Sequence, residues 1–160
     1  MSLMQPVLID TNVPIVANGG ASHASPACRE RASARLRQVI TQEKVVLDSD
    51  WVILKEYHNN LQKGPQPAGS EFYLWVLNNR ANPARCEFID LAIEADTGQY
   101  AAFPHADPAF AKFNQSDRVF VAAHLTHPEF PPIVNAVDSD WQDYKVPLDN
   151  HGVVVEELCS

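Results

Sequence analysis

Val7-Leu8-Ile9 is an uninterrupted apolar run that stops at Asp10, and Val45-Val46-Leu47 is another that stops at Asp48. Ile133 to Val137, introduced by Pro131-Pro132 and broken only by Asn135, is a third stretch and stops at Asp138. Runs this short, rich in β-branched residues and without polar alternation, suit strands buried on both faces. That is the condition of a parallel sheet covered by helices. Glu87-Phe88-Ile89 and Val153-Val154-Val155 supply two weaker strands.

Helical patterns fill the intervals. Ser25-Pro26 opens a helix that runs to Gln42, with Leu36, Val39 and Ile40 on its buried side. Ser49 or Asp50 caps the next, where Trp51, Leu54, Tyr57 and Leu61 recur at helical spacing before Gly64-Pro65 ends it. A further helix spans Ser70 to Asn79 and packs Phe72, Trp75 and Val76. Thr97 to Gln115 reads as a long loop with one short helix, after which Ser116 caps a helix carrying Phe120, Val121, Ala123 and His124. Strands alternating with helices predict a three-layer α/β/α sandwich on a mostly parallel sheet of about five strands. All 160 residues read as one domain, except that Met1-Ser2-Leu3 ahead of Met4 reads as an appendage.

Composition limits the functional classes. With 46% apolar and 20% charged residues the chain is globular, and no segment has the roughly 20 apolar residues of a membrane span. The amino terminus has no secretory pattern, and Cys28, Cys86 and Cys159 show no paired spacing, so free thiols in a reducing cytoplasm are expected. A net charge of −8 excludes a simple basic nucleic-acid coat protein. It does not exclude an enzyme that concentrates carboxylates around bound cations.

Where the acids fall is therefore informative. In open α/β sheets ligands bind at the carboxyl ends of strands, and Asp10 and Asp138 end strands. Glu56 lies off the apolar stripe of its helix, Asp117 occupies a first helical turn, and Asp140 follows Asp138 by two residues. Carboxylates that converge stay ionised only if something positive sits among them. Hard cations such as Mg²⁺ or Mn²⁺ suit oxygen ligands, and phosphodiester hydrolysis is the chemistry that uses such a centre. Asp48 reads as turn chemistry, and Asp143 as surface.

The order of these segments resembles the PIN-domain nucleases. Val7-Leu8-Ile9-Asp10-Thr11-Asn12 looks like the opening motif of that family, and Val52-Ile53-Leu54-Lys55-Glu56 is similar to its helical glutamate motif. Ser116-Asp117-Arg118-Val119-Phe120-Val121-Ala122-Ala123 resembles the third motif, and Asn135-Ala136-Val137-Asp138-Ser139-Asp140-Trp141 the fourth. One departure is Ala136, where many relatives carry Ser or Thr. The resemblance implies a metal-dependent ribonuclease acting on single-stranded RNA, with Asp10, Glu56, Asp117 and Asp138 catalytic and metal-binding and Asp140 a further ligand. It also implies Asn12 as a supporting hydrogen-bonding residue. The toxin of a toxin–antitoxin pair, with an antitoxin protein as partner, is one version of this role. A PIN-like module that binds RNA or protein without cutting is the alternative.

Other chemistries find less support. His124 and His127, with His58 near Glu56, would need further convergent ligands to hold zinc. No GxSxG or phosphate-cradling glycine motif accompanies the serines and cysteines. Arg31 and Arg35 share a face of the long helix and, with Arg118, are candidates to meet an RNA backbone; the competing reading is a solvated or ion-paired surface. Phe103, Phe110 and Phe113 suggest a homodimer surface, or else a cover for the long loop.

Overall fold

The structure, a computed structural model, describes residues 4–159, so the Met1-Ser2-Leu3 appendage lies outside the described residues. Its five strands are β1 (Gln5–Ile9), β2 (Glu43–Asp48), β3 (Cys86–Ile89), β4 (Ile133–Asn135) and β5 (Val155–Glu157). They form one sheet in the order β3-β2-β1-β4-β5, and every neighbouring pair is parallel. The order reverses at β1, whose neighbours β2 and β4 carry the chain away in opposite directions. The carboxyl ends of β1 and β4 flank the crevice that such a reversal creates.

Helices complete an α/β/α sandwich: α1 (Asn12–Ala17), α2 (Pro26–Gln42), α3 (Val52–Asn60), α4 (Ala68–Asn79), α5 (Arg118–Thr126), α6 (Ser139–Asp143) and α7 (Lys145–Asn150). Val7, Leu8, Ile9, Val45, Val46, Leu47, Ile133 and Val134 are fully buried, as their unbroken apolar runs require. Ser25 caps α2 by accepting a hydrogen bond from the Cys28 amide at 3.1 Å. Asn18, just past α1, accepts from the Gly69 amide at 2.8 Å and the Ser70 amide at 3.2 Å, so α1 caps α4 from outside. Gly69 is required at this contact because a Cβ there would overlap the Pro14 carbonyl and the Asn18 amide.

Several expectations are corrected. Neither Ser49 nor Asp50 caps α3. Asp48 does so from within β2, accepting from the Val52 amide at 3.0 Å and the Ile53 amide at 2.9 Å. Trp51 consequently falls outside the helix and its buried stripe; it is 50% exposed with a left-handed φ of 65°. Ser116 does not cap α5 either. Asn114 caps the short 3-10 turn Gln115–Asp117, and Asp117 takes the N-cap position of α5 without a capping hydrogen bond. β4 stops at Asn135 rather than Val137, because the Ala136 and Val137 amides bond to the Asn12 side chain. Phe103, Phe110 and Phe113 are buried and packed on one another under the 97–115 loop, which removes the basis for a homodimer surface there.

The cysteines also differ from expectation. Cys28 and Cys159 are joined in a disulfide, tying α2 to the end of the chain, and Cys86 is a buried free thiol. The two partners lie 131 residues apart, and only the topology brings them together. Arg35 makes a parallel link from α2: it is buried, pairs with Glu43, and donates from Nε to Glu156 at 2.6 Å. Among the described residues no helix is long and apolar enough to cross a membrane.

Asp48 therefore carries a cap that no other side chain can replace. We expect Asp48→Ala to lower stability by about 2 kcal/mol, because the cap is lost and the Val52 and Ile53 amides, the second of them buried, are left without their acceptor. Urea unfolding of the two proteins measures it; an unchanged midpoint would contradict the assignment.

Candidate metal centre

Asp10, Asp117 and Asp138 present carboxylate oxygens that all lie within 4.8 Å of one another. Each arrives from a different element. Asp10 follows β1 directly, in a backbone position held by the Tyr57 hydroxyl of α3, which donates to the Ile9 carbonyl at 2.6 Å. Asp138 follows β4 and is the N-cap of α6, its Oδ1 accepting from the Asp140 amide at 3.0 Å. Asp117 stands at the start of α5.

Two asparagines lock the strand ends to each other. The Asn12 side-chain nitrogen donates to Asn135 Oδ1 at 2.9 Å, while Asn12 Oδ1 accepts from the Ala136 and Val137 amides at 3.0 and 3.1 Å. Asn135 Oδ1 also accepts from the Asp138 amide at 3.1 Å, and Asn135 Nδ2 donates to the Asp138 carbonyl at 2.9 Å. The residue at Asn12 thus supports the site through its backbone amide, which donates to Asp10 Oδ1 at 3.0 Å, and through this bridge. Asn135 is fully buried, and its one sequence signal is a polar amide inside an otherwise apolar strand.

The three acids are satisfied unequally. Asp10 Oδ2 accepts from the Trp141 indole at 2.7 Å, so both of its oxygens have protein donors. Trp141 was visible only as the aromatic closing the fourth motif. Asp117 is buried, and its Oδ2 has no hydrogen-bond partner. Buried polar atoms are nearly always paired, so this orphan needs an account. At an effective dielectric near 20, two carboxylates about 5 Å apart repel by about 3 kcal/mol. Burial pushes the Asp117 carboxyl up to about 8, helped by the charges of Asp10, Asp138, Asp140 and Glu56. Burial also raises Asp10, against its bonds from Asn12 and Trp141, and raises Asp138.

Glu56 and Asp140 therefore stand close enough for their charges to reach Asp117, although neither belongs to the tight group of three. Both are partly buried at the rim. The donor set is all oxygen, compact and anionic, with one oxygen unpartnered. It fits a hard divalent cation such as Mg²⁺ or Mn²⁺.

The arginines are placed otherwise than expected. Arg35 is consumed by Glu43 and Glu156. Arg118 is buried against the 97–115 loop, donating to the Phe110 and Phe113 carbonyls at 3.1 and 3.2 Å with its guanidinium 4.6 Å from the Phe103 ring. A short aromatic loop with free carbonyls draws it inward, so it is neither solvated nor open to substrate. Arg31 alone of the three is exposed. His124 lies between the Pro131 and Gly152 carbonyls and His127 pairs with Glu87, which leaves neither for zinc.

Compared with protein-family models, curated proteins and solved structures, the chain matches none. The functional reading accordingly rests on the residues themselves.

The Asp117 carboxyl loses its proton near 3.8 in the unfolded chain and at about 8 in the fold. Between these values the folded state binds more protons, so stability is greatest below the lower value and falls as pH rises through the upper one. In EDTA the thermal midpoint should decline from about pH 5 to pH 8, and Asp117→Asn should remove much of the decline. Saturating Mn²⁺ should reverse the trend, because its ligands are the deprotonated carboxylates. A flat profile that ignores both EDTA and Asp117→Asn would contradict this electrostatic description.

Proposed function

We propose that the chain is a divalent-metal-dependent endoribonuclease that hydrolyses phosphodiester bonds of single-stranded RNA. The carrying observation is the group Asp10, Asp117 and Asp138 with its unpartnered Asp117 Oδ2. Further support comes from the four ordered motifs and from the position of the group at the sheet's switch point.

Asp10, Asp117 and Asp138 would hold Mg²⁺ or Mn²⁺, with Glu56 and Asp140 at the rim. When bound, such an ion lowers the pKa of water and offsets charge developing on the phosphate and the leaving oxygen. The chain's own residues do the positioning. Trp141 and the Asn12 amide hold Asp10 in one rotamer, so its charge is aimed before substrate arrives. The cap made with the Asp140 amide does the same for Asp138. Glu56, partly exposed at the rim, is available to accept the proton that the attacking water sheds. The 97–115 loop, anchored by Arg118, walls the Asp117 side.

Ala136 offers no hydroxyl at the crevice; its contribution is the amide bonded to Asn12. A toxin role, with an antitoxin restraining the site, is the version of this proposal that requires a partner protein. The expected cytoplasmic setting is compatible with the fold only if the sheet and core suffice once the Cys28–Cys159 pair is reduced there.

The test is cleavage of a panel of single-stranded RNAs with Mg²⁺ or Mn²⁺ and with EDTA. Asp10→Asn, checked for folding by circular dichroism, should lower the rate roughly 10²–10³-fold, the equivalent of about 3–4 kcal/mol of transition-state stabilisation. Asp140→Asn should cost less. Equal cleavage by wild type and Asp10→Asn would point to a contaminant, and no cleavage without Mn²⁺ binding would favour the non-catalytic binding module.

A further inference from the structure

Among the described residues two aromatics, Trp51 and Phe130, are half or more exposed, and of these Trp51 lies past the carboxyl end of a strand, on the sheet edge that carries the acids. It directly follows the turn at the carboxyl end of β2, and β2 runs parallel to β1. Its φ of 65° is a conformation that bulky residues rarely adopt, and such strain gathers at functional positions. Glycine or asparagine would relax the turn, yet a half-exposed indole occupies it. Core packing does not explain this, because the α3 apolar stripe is complete without it in Ile53, Leu54 and Tyr57.

The surroundings are those of a site for a flat, anionic-backed ligand. Trp51 and Arg80 together form the wall between two clefts of about 330 Å³ each. The Arg80 guanidinium lies 6.0 Å from the indole centroid, and Phe88 sits at 6.2 Å. The first cleft has mostly apolar walls, with exposed Lys55 and His58 at its margin and the His58 ring held by the Tyr73 hydroxyl at 2.9 Å. A volume near the lower end of the small-ligand range admits one ring system. In a chain of net charge −8, the pairing of Arg80 and Lys55 around an open indole is a local reversal of sign, opposed here only by Asp50.

We propose that Trp51 and Arg80 form a stacking platform for a nucleobase of single-stranded RNA, Trp51 supplying the ring face and Arg80 with Lys55 meeting the adjoining phosphates. Aromatic faces flanked by cations are how proteins hold single strands without reading sequence. The inference rests on the ribonuclease reading for the identity of the ligand, and it deepens that reading by naming where the strand is gripped. Glu56 lies five residues beyond Trp51, the N-cap of α3, which is about 7–8 Å along the axis and roughly 140° around it, so a strand stacked on Trp51 would cross the end of α3 to reach the acidic rim. A stack of this kind discriminates against duplex RNA, whose bases have no free face.

Binding is read apart from cleavage, in the Asp117→Asn background with EDTA, so that the acidic group neither cuts nor adds its full repulsion. Fluorescein-labelled hexauridylate and hexaadenylate are titrated by anisotropy against this protein and against the same protein carrying Trp51→Gly, Trp51→Phe or Arg80→Gln. Trp51→Gly suits the backbone at φ 65° and should keep the fold, which circular dichroism checks. It should weaken binding about 5- to 100-fold, whereas Trp51→Phe should retain most of it. Arg80→Gln should weaken binding and lower the slope of log affinity against log salt by about one. Quenching of intrinsic tryptophan fluorescence by unlabelled RNA should largely vanish in Trp51→Phe.

Binding within twofold of the parent in Trp51→Gly would overturn the platform, as would failure of the parent to bind either RNA. In both cases Mn²⁺-dependent cleavage by the wild type would still uphold the ribonuclease reading. Trp51-dependent binding in a protein that never cuts would support the platform and defeat that reading instead.

Discussion

Electrostatic repulsion among Asp10, Asp117 and Asp138 is the constraint around which the rest of the molecule is arranged. Their oxygens lie within 4.8 Å of one another, with Asp10 and Asp117 buried and Asp138 half-buried, so solvent relieves little of the cost of ionising the first two. Left to relax, the groups would separate. They are prevented by the sheet, which places the ends of β1 and β4 side by side, and by the Asn12–Asn135 bridge, which cross-links those ends through five side-chain hydrogen bonds to Ala136, Val137, Asp138 and each other. Trp141 and the backbone amides of Asn12 and Asp140 then fix two of the carboxylates in orientation. The third has one oxygen with nothing to bond. Above about pH 8, where Asp117 is ionised as well, such a scaffold holds unfavourable energy that a bound cation would release.

Arg118 and Arg35 show how the same fold treats charge where no ligand is implied. Each is buried and nearly surrounded by acceptors, Arg118 by loop carbonyls and Arg35 by two glutamates. These arginines fasten the 97–115 loop and the C-terminal strand, and the Cys28–Cys159 disulfide reinforces the second attachment. The contrast sharpens the meaning of the acid group: the two buried guanidiniums meet oxygen acceptors, with only Arg118 Nε left without one, whereas at the crevice carboxylates are gathered with one sign.

Much of the fold was legible because it depends on local pattern. Unbroken apolar runs ending in Asp announced strands of a parallel sheet, and Ser25-Pro26 through Gln42 predicted α2 with its observed bounds. The clustering of the candidate residues was legible for the same reason, since strand ends and helix starts are sequence features, and Asp10, Asp117 and Asp138 fall at them. What could not be read depends on partners distant in sequence. Asn135 is an isolated amide until Asn12 is seen opposite it, 123 residues away. Arg35 is a surface arginine on a helical wheel until β5 brings Glu156 beneath it, and Cys28 has no visible partner until the chain end returns. Trp51 was misplaced because its spacing fits the helical stripe, while the cap that starts the helix after it comes from Asp48, on the strand before.

The crevice between β1, β4 and α5 is the candidate cation site. Anomalous scattering from crystals soaked in Mn²⁺ tests it most directly, independently of any substrate. A peak is expected among Asp10, Asp117 and Asp138, with at least one direct oxygen contact at about 2.0–2.2 Å and Asp117 Oδ2 turned toward the ion. Crystals that show no peak there at millimolar Mn²⁺ and neutral to alkaline pH, with the Asp117 carboxyl left unpartnered, would contradict this assignment.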